Sequence, residues 1–438
     1  MSDAETPTTI KTPSFAEMFA VWAKIGLLSF GGPAGQIALM HREIVEDRKW
    51  ISDNRFLHAL NFCMLLPGPE AMQLATYIGW LTHGLRGGLI AGLLFVIPGA
   101  LVIWLLAWIY AAYGETSFAA AIFYGIKGAV LAIVLHALFR IAGKALKRPV
   151  DWLTAVFAFI AIFAFDLPFP LIILAAAVAG WLVHKPGPAH TCDTVPATPV
   201  SAGATIRTVS IWLLVWLLPL IAVWFSFGGD HVFSQIGLFF SKLAMVTFGG
   251  AYAVLAYMAQ EAVDGYGWLS AREMLDALGL AETTPGPLIL VTEFVGYLGA
   301  YRSQGMSPAL MGAIGALIAL WATFAPCFLW IFAGAPYIER LQQAGRIAGA
   351  LKGVTAAVVG VILNLAVWFS VQAVFLRTMQ VEAGPLKLLV PDLGSIDLAM
   401  LSIALVACFM ILVRHMGIIT TLVVTACLGL VWRYWLGV

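Results

Sequence analysis

Two Pro-Gly-Pro stretches interrupt apolar segments of the chain, and each could bind an anion through its backbone. Pro67-Gly68-Pro69 lies in LLPGPEAMQL, and Pro285-Gly286-Pro287 lies in TTPGPLILVT. Proline lacks an amide donor and restricts the residue before it, so a continuous helix through either stretch is disfavoured. The new helix that starts after each stretch has free amides and a positive dipole end, which favour anions. We predict hairpins of two half-helices that meet inside the membrane; the alternative is a kinked spanning helix without a ligand.

Four lysines within apolar segments are the second group of candidates. Lys24 and Lys242 each lie six residues before a Phe-Gly-Gly motif, and Lys127 and Lys352 lie in GIKGAV and ALKGVT. An ammonium group in hydrocarbon is costly unless it is paired or reaches the membrane interface. A symmetric set of lysines facing one cavity would hold a dianion. For Lys24 and Lys242, snorkelling to the interface is the alternative.

Glycine pairs interrupt the first helix of each half of the chain. They occur in Phe30-Gly31-Gly32-Pro33 and in Phe248-Gly249-Gly250. An unwound turn at these pairs would expose backbone groups to a ligand. Close packing of helices across small residues is the alternative explanation.

The residues that flank the Pro-Gly-Pro stretches differ between the two copies. Glu70 follows the first stretch, where a carboxylate caps the new helix or carries a proton in coupling; its counterpart is Leu288. Thr283 and Thr284 offer hydroxyl donors before the second stretch, where the first copy has two leucines. Glu282 and Glu293 are further acidic candidates in apolar surroundings.

The predicted anion site collects these candidates in one list: Lys24, Phe30, Gly31, Gly32, Pro33, Pro67, Gly68, Pro69, Glu70, Lys127, Lys242, Phe248, Gly249, Gly250, Thr283, Thr284, Pro285, Gly286, Pro287 and Lys352.

The composition places these residues in a membrane protein. Of the 438 residues, 61% are hydrophobic and 11% are charged, whereas soluble domains have about a quarter charged residues. Long apolar runs without period-2 alternation indicate spanning helices rather than barrel strands. The net charge of +1 gives no reason to expect a nucleic-acid partner. The scattered cysteines and histidines form no metal, cofactor or catalytic motif, so we predict neither cofactor nor enzyme activity.

The chain contains the same pattern twice. A constant shift of 218 positions places Lys24 on Lys242, Glu43 on Glu261 and the first Pro-Gly-Pro stretch on the second. Charged residues and prolines that keep one register over tens of positions indicate an internal repeat. We predict a polar tail at 1–14, a first repeat at 15–184, a flexible linker at 185–207, and an additional helix plus a second repeat at 208–438. The tail lacks the apolar core of a signal peptide.

The distribution of basic residues favours opposite orientations of the two repeats. Residues 41–55 carry four arginines or lysines, and the equivalent 259–273 carries one. Basic residues mark the cytoplasmic side, so this bias predicts inverted-topology repeats, which are common in secondary transporters. The comparison of 140–151 with 376–396 does not reverse cleanly. The predicted fold is therefore an all-α polytopic membrane protein of two homologous halves, inverted relative to each other.

The motifs resemble those of the chromate ion transporter family. The resemblance rests on SFGGPAGQIALMHREIVEDRKWIS and RFLHALNFCMLLPGPEAMQLATYIGW in the first half, and on TFGGAYAVL and TTPGPLILVTEFVGY in the second. It is closest to long members with two fused halves, and it implies a bacterial inner-membrane carrier that exports chromate and confers resistance. The glycines and prolines of both motifs carry over as family residues. Ala251-Tyr252 departs from the pattern, because a further glycine is common there.

Secondary active transport of a tetrahedral oxyanion, chromate, is the function that we predict. A carrier of sulfate or another oxyanion is the first alternative, because both ions are tetrahedral dianions of similar size. A membrane-embedded enzyme, and a scaffold or sensor that transports nothing, are alternatives from other classes. The lipid bilayer is the surroundings that we expect, and a homodimer stays open.

Overall fold

The computed structural model describes residues 13–30, 32–114, 116–183, 201–248, 251–338, 345–384 and 386–435. Its first half contains α1 (Phe15–Leu28), α2 (Gly32–His41), α3 (Asp53–Cys63), α4 (Glu70–Tyr113), α5 (Ser117–Ala145), α6 (Pro149–Phe163) and α7 (Phe169–Val183). A π-helical turn, Arg42–Glu46, follows α2.

An additional helix, α8 (Ala202–Phe227), precedes the second half and begins within the segment predicted as a linker. The second half contains α9 (Val232–Val246), α10 (Ala251–Gln260), α11 (Ala271–Thr283), α12 (Val291–Tyr301), α13 (Pro308–Gly334), α14 (Gly345–Val374), α15 (Leu398–Cys408) and α16 (Ile418–Trp435). Short π-helical turns (Glu261–Gly265, Phe409–Val413) and 3-10 turns (Leu288–Leu290, Ala335–Tyr337, Leu393–Ser395) complete it.

A two-stranded antiparallel hairpin, β1 (Thr378–Ala383) and β2 (Leu386–Pro391), is inserted between α14 and α15. The first half passes from α5 to α6 without such an insertion. The apolar pattern of the sequence did not predict this hairpin.

Five segments in the described part of the chain are long and apolar enough to cross a membrane: Glu70–Tyr113, Ser117–Ala145, Ala202–Phe227, Pro308–Tyr337 and Ala348–Val374. The chain is therefore a multi-pass membrane protein, as the composition predicted. The helices α3 and α11, which precede the Pro-Gly-Pro stretches, are shorter. At 1.5 Å per residue, the 11 residues of α3 extend about 16 Å, roughly half of the hydrocarbon core.

The helix α4 folds back on itself at His83 and Gly84, whose backbone angles are not helical. Its first part, 70–82, then packs against its second part, with Gly79 facing Gly87 and Ala91. The small residues let the two segments approach closely. In the second half, α12 folds back on α13 in the same manner.

The two halves are inverted relative to each other. Gly88 on α4 lies against Phe332 on α13, and Gly92 lies against Phe328. The residue numbers rise on one helix while they fall on the other, so these two equivalent helices run antiparallel. Equivalent helices of repeats with the same orientation would run parallel. The geometry agrees with the inversion predicted from the basic residues.

The halves also exchange their last two helices. The pair α6 and α7 packs on α14 of the second half, and the pair α15 and α16 packs on α5 of the first half. Gly360 fits against Ala155 in the first contact, and Gly125 fits against Thr425 in the second. Each half is therefore buried against the other along its longest helices.

Candidate functional site

Each Pro-Gly-Pro stretch separates two helices. The helix α3 ends at Cys63 and α4 begins at Glu70; α11 ends at Thr283 and a 3-10 turn begins at Leu288. Gly68 has φ +122° and Gly286 has φ +87°, in a region that side chains other than glycine rarely adopt. The central residue of each stretch is therefore glycine for a conformational reason.

The two stretches bond reciprocally to the opposite half. The amide of Gly68 donates to the carbonyl of Thr247 at 2.8 Å, and the amide of Gly286 donates to the carbonyl of Ser29 at 2.8 Å. Ser29 and Thr247 are equivalent residues, each at the end of the first helix of its half. The helix breaks of the two halves are therefore joined to each other by hydrogen bonds. We call this place the crossing; it consists of Ser29, residues 67–69, Thr247 and residues 285–287.

These bonds change how the predicted anion cradle works. Each central glycine amide is already used by a protein carbonyl, so it positions the loop. The amides that a helix leaves without intrahelical partners follow at its start. In this site they belong to residues 70–72 of α4 and to Leu288 and Ile289, since the amide of Leu290 donates to the carbonyl of Pro287 at 2.9 Å.

Two glutamines that the sequence analysis did not select fix the stretches. The amide of Gln36, on α2, donates to the carbonyl of Gly286 at 2.5 Å, and that of Gln73 donates to the carbonyl of Pro67 at 2.7 Å. Both side chains are buried. A polar amide in an apolar run was the available signal, because a buried amide needs hydrogen-bond partners.

The long helices support the crossing from behind. Gly99 on α4 lies against the carbonyl of Pro285, where a Cβ would overlap the oxygen. Cys327 on α13 lies beside Gly68 in the equivalent contact. Both follow a helix proline, Pro98 or Pro326, so the internal symmetry extends to the supporting residues.

The glycine-pair motifs begin directly after Ser29 and Thr247 in the sequence. Gly31, Gly249 and Gly250 are outside the described residues. Gly32 is buried with φ +70° and begins α2, Pro33 follows in its first turn, and Phe30 and Phe248 precede the two motifs' glycines with partly exposed side chains. The backbone of this motif is thus irregular in the first half, as predicted.

The threonines before the second stretch are engaged locally. The hydroxyl of Thr283 donates to the carbonyl of Leu280 at 2.7 Å, and that of Thr284 donates to Ala281 at 3.0 Å. With their protons used, these hydroxyls have only acceptor capacity left for a ligand. Glu70 is half-buried in the first turn of α4.

Lys24 is paired rather than isolated. Its Nζ lies 2.7 Å from Oε1 of Glu43, whose other oxygen is 2.7 Å from Arg48. Burial opposes ionisation of Glu43, but the two cations hold the pKa of this carboxyl below its usual range. The Lys24 side chain remains half exposed, so it extends towards the interface. The pair also shows that α2 turns back beside α1.

The other lysines have different surroundings. Lys127 lies 3.4 Å from Asp276 of the second half, and the hydroxyl of Tyr110 donates to the same carboxylate oxygen at 2.8 Å. The ammonium group of Lys242 lies 5.6 Å from the centre of the Tyr257 ring, and Lys352 is exposed. The contacts thus give Lys127 a buried partner across the two halves.

The second half carries three buried carboxylates at positions that are not acidic in the first half. Asp276, Glu282 and Glu293 are each at most 6% exposed. The shift of 218 positions places them on His58, Met64 and Ala75, none of which is acidic. Glu282 is the one nearest in sequence to a Pro-Gly-Pro stretch, and its Oε1 accepts from the hydroxyl of Tyr252 at 2.8 Å.

A cavity of about 690 Å³ opens where the α6–α7 connection meets the end of α10 and the helix α14. Three acids line it, Asp166, Glu261 and Asp264, together with Tyr257 and Trp368. Burial and the charge of Asp166 raise the pKa of Asp264. The cavity is therefore acidic.

Comparison with known proteins gives the family. The model of the chromate transporter family matches residues 16–181 and 234–430, once in each half. The chain belongs to this family. It is 29% identical to the chromate transport protein of Cupriavidus metallidurans over 81% of this chain and 82% of that protein. It is 31% identical to the chromate transport protein of Pseudomonas aeruginosa over 82% of each, and 30% identical to the probable chromate transport protein of Synechococcus elongatus over 81% and 84%. No solved structure matches it.

The family match agrees with the architecture of this chromate transporter family member. Its two matched regions are the two halves that cross at the Pro-Gly-Pro stretches, and α8 lies between them. The acidic cavity, the two glutamines and the Lys127–Asp276 pair are features of the tertiary structure that no short motif indicated.

Proposed function

We propose that this protein is a secondary active transporter that exports chromate across the bacterial inner membrane and thereby confers chromate resistance. The observation that carries the proposal is the reciprocal pair of bonds, from Gly68 to Thr247 and from Gly286 to Ser29. Irregular backbone at membrane depth is tolerated where it is buried in protein or lines a watery cavity. Paired helix breaks between inverted halves are the usual place of a transported ion.

In this proposal the anion binds beside the crossing. The amides of residues 70–72 and of Leu288 and Ile289 donate to its oxygens, and the positive ends of these helical segments favour its charge. The central glycines and their carbonyl partners hold the two loops in register. Rocking of one half against the other then exposes the crossing to each side in turn.

The charges at the two faces support export. The connections after α2 and between α5 and α6 form a basic face that includes Arg48, Lys144 and Arg148, and basic residues mark the cytoplasmic side. The acidic cavity lies at the opposite face, because α6 runs away from the basic face towards Asp166. Cytoplasmic chromate would be attracted and external chromate repelled.

The membrane potential can supply the driving force. Moving two negative charges out of a cell that is negative inside releases roughly 4.6 kcal/mol per 100 mV. Export of a dianion is electrically downhill, so a strong coupling ion is not needed for its direction.

Lys24 and Lys242 occupy the entrances in this proposal. Lys24 is half exposed near the basic face, and Lys242 is exposed near the acidic cavity. Each would guide the dianion towards the crossing. The charge of Glu261 acts on Lys242, and Glu43 pairs with Lys24. Each entrance lysine therefore has an acidic neighbour.

The test is chromate flux in proteoliposomes with the membrane potential clamped. We expect potential-dependent chromate movement that protein-free liposomes lack, with the chromium still hexavalent. Added sulfate measures selectivity: a chromate flux that is about halved by sulfate at an equal, saturating concentration would make the substrate an oxyanion in general. Reduction of chromium without movement would instead indicate an enzyme, and absence of both would contradict transport.

The lysines are tested in the same assay. We expect Lys24→Ala or Lys242→Ala to abolish chromate flux while the protein still inserts into the membrane. Lys144→Ala is the comparison variant, because Lys144 is exposed on the basic face but distant in sequence from the breaks; it should lower the flux much less than either entrance variant. Unchanged flux in both entrance variants would remove the lysines from the proposed path.

A further inference from the structure

Glu282 occupies an unusual place for a carboxylate in an anion transporter. It lies three positions before Pro285, on the last turn of α11, and its side chain is 6% exposed. The carbonyl end of a helix disfavours negative charge. Burial disfavours it as well. Both features favour a carboxyl group that holds a proton.

The hydrogen bonds of Glu282 are incomplete. Its Oε1 accepts from the buried hydroxyl of Tyr252, while its Oε2 is buried and has no hydrogen-bond partner within the described part of the chain. A buried carboxylate oxygen without a partner is costly. Protonation of the carboxyl, or a hydrogen-bond donor on a bound ligand, would remove this cost.

The charged surroundings come from the opposite half. Arg140, on α5, acts through its charge on both Glu282 and Tyr252, and His136 lies one turn before it and feels its charge. The other helices that pack on α11 carry Glu293 (α12), Lys352 (α14), Arg433 (α16), and Glu70 and Tyr110 (α4). Lys352 is exposed and Tyr110 bonds to Asp276.

The first half has no equivalent of this group. The positions of Glu282 and Tyr252 are occupied there by Met64 and Ala34. The hydrogen bonds of the crossing are symmetric, but a buried carboxyl with an unpartnered oxygen in the described structure lies beside it in the second half, whereas Glu70 of the first half is half-buried. An ionised carboxylate would repel a dianion bound at the crossing, whereas a neutral carboxyl would not.

We propose that Glu282 is the proton-binding group of this transporter and that a proton and the oxyanion occupy the crossing together. The inference rests on the proposed function. In it, the Glu282 carboxylate takes a proton from water on the side to which the site is open, and returns it to water when the anion leaves. Because coupling between two bound species is reciprocal, bound anion favours the proton and the proton favours the anion.

The test measures chromate flux and proton movement in proteoliposomes that contain a pH indicator, over a series of pH values at clamped potential. The wild-type protein should transport faster as pH falls and should move protons in the same direction as chromate. Glu282→Gln, which mimics the neutral carboxyl, should keep at least half of the flux measured at the optimum pH. Its flux should vary less than twofold over the range in which the wild type varies about tenfold, without proton movement.

Glu293→Gln is the matched control, because Glu293 is also a buried carboxyl of the second half with an unpartnered oxygen in the described structure. It should retain the wild-type pH profile. Tyr252→Phe keeps the Glu282 carboxyl but removes the hydroxyl that donates to it, so the midpoint of the pH profile should move to higher pH. This variant tests the proposal if Glu282→Gln fails to fold.

The outcomes separate the two proposals. A wild-type protein that moves no chromate at any pH contradicts the proposed function. A wild type that transports, with a pH profile that Glu282→Gln and Tyr252→Phe both leave unchanged, contradicts only the role of Glu282. Loss of the pH dependence in Glu293→Gln rather than in Glu282→Gln would also overturn it.

Discussion

At the end of α1, the hydroxyl of Ser29 donates to the carbonyl of Ile25, and its own carbonyl accepts from the Pro-Gly-Pro stretch of the second half. At the end of α9, Thr247 makes the same two bonds, with Leu243 and with the first stretch. The two distances from hydroxyl to carbonyl oxygen are both 2.6 Å, and the two distances from amide nitrogen to carbonyl oxygen are both 2.8 Å. The hydrogen bonds that hold the crossing are therefore the same in both halves.

The buried charges differ between the same two regions. Where the second half has Asp276, Glu282 and Glu293, the first half has a histidine, a methionine and an alanine. The glutamine contacts also differ, since Gln36 crosses to the other half whereas Gln73 bonds within its own. The comparison indicates that the shape of the crossing needs both copies, while its ionisable chemistry needs one.

Breaking the backbone symmetry should have the largest effect on transport. Gly286→Ala forces a side chain onto φ +87° at the crossing and should lower stability by about 1–3 kcal/mol, together with loss of chromate flux. Thermal unfolding in detergent and proteoliposome flux measure it. Gly384→Ala is the control, because Gly384 has φ +63° in the β-hairpin turn with open space around a Cβ. Equal flux losses in both variants would contradict a special role of the crossing.

Breaking the ion pair between the halves should have the largest effect on stability alone. Lys127→Met leaves Asp276 buried without its cation, so the carboxyl must stay charged or take up a proton, and the cost should be at most about 3–5 kcal/mol. Lys24→Met removes a half-exposed partner from Glu43, which keeps Arg48, and should cost about 0–1 kcal/mol. Denaturation of the two purified variants compares them. A larger loss of stability in Lys24→Met than in Lys127→Met would contradict the assignment of Lys127 and Asp276 as the buried pair.

Crowding the support of one stretch should have a moderate effect. A Cβ on Gly99 would overlap the carbonyl of Pro285, so Gly99→Ala should reduce flux several-fold and lower the melting temperature. Gly143→Ala, on α5, meets open space and should be neutral or stabilising by up to about 1 kcal/mol, since alanine favours helix. Retained wild-type flux in Gly99→Ala would show that the contact can relax.

The smallest effects on stability should come from the carboxyl groups of Glu43 and Asp264, and these effects should have opposite signs. Glu43 has a lowered pKa, so its contribution to stability is present above its usual value of 4.5 and is lost as pH falls through its folded-state pKa. Asp264 has a raised pKa, so its charge costs stability at neutral pH and the cost disappears as pH falls through that pKa. Glu43→Gln should destabilise and Asp264→Asn should stabilise the protein at pH 7, as melting curves at several pH values would show. The same sign for both would contradict the contrast.

The sequence predicted the breaks because proline and glycine act locally. Proline lacks an amide wherever it lies, and its ring restricts the preceding residue, so the ends of α3 and α11 were predictable from Pro67 and Pro285. The inversion was predictable as well, since the membrane sorts basic residues by side regardless of packing. The domain boundaries drawn from composition, including the linker up to residue 207, remain predictions.

The site was predicted only in part, because contacts between halves depend on distant residues. The list of candidates held both Pro-Gly-Pro stretches but omitted Ser29, Thr247 and Gln36, which bond to them. It treated four lysines as one set, whereas Lys24 and Lys127 have different carboxylate partners. Partner choice over 100 or more residues is decided by packing that no local pattern encodes.

The sequence by itself determined a membrane protein of two related halves, with helices that stop at Pro-Gly-Pro and basic residues that orient the halves oppositely. Hydrophobic length, proline chemistry and charge sorting act on each segment alone, so they can be read without a fold. Only the tertiary structure decided that Gly68 and Gly286 give their amides to the opposite half, and that one buried oxygen of Glu282 has no hydrogen-bond partner among the described residues. Hydrogen bonding in a buried crossing depends on which groups arrive within 3 Å of each other, and that is set by how the two halves pack.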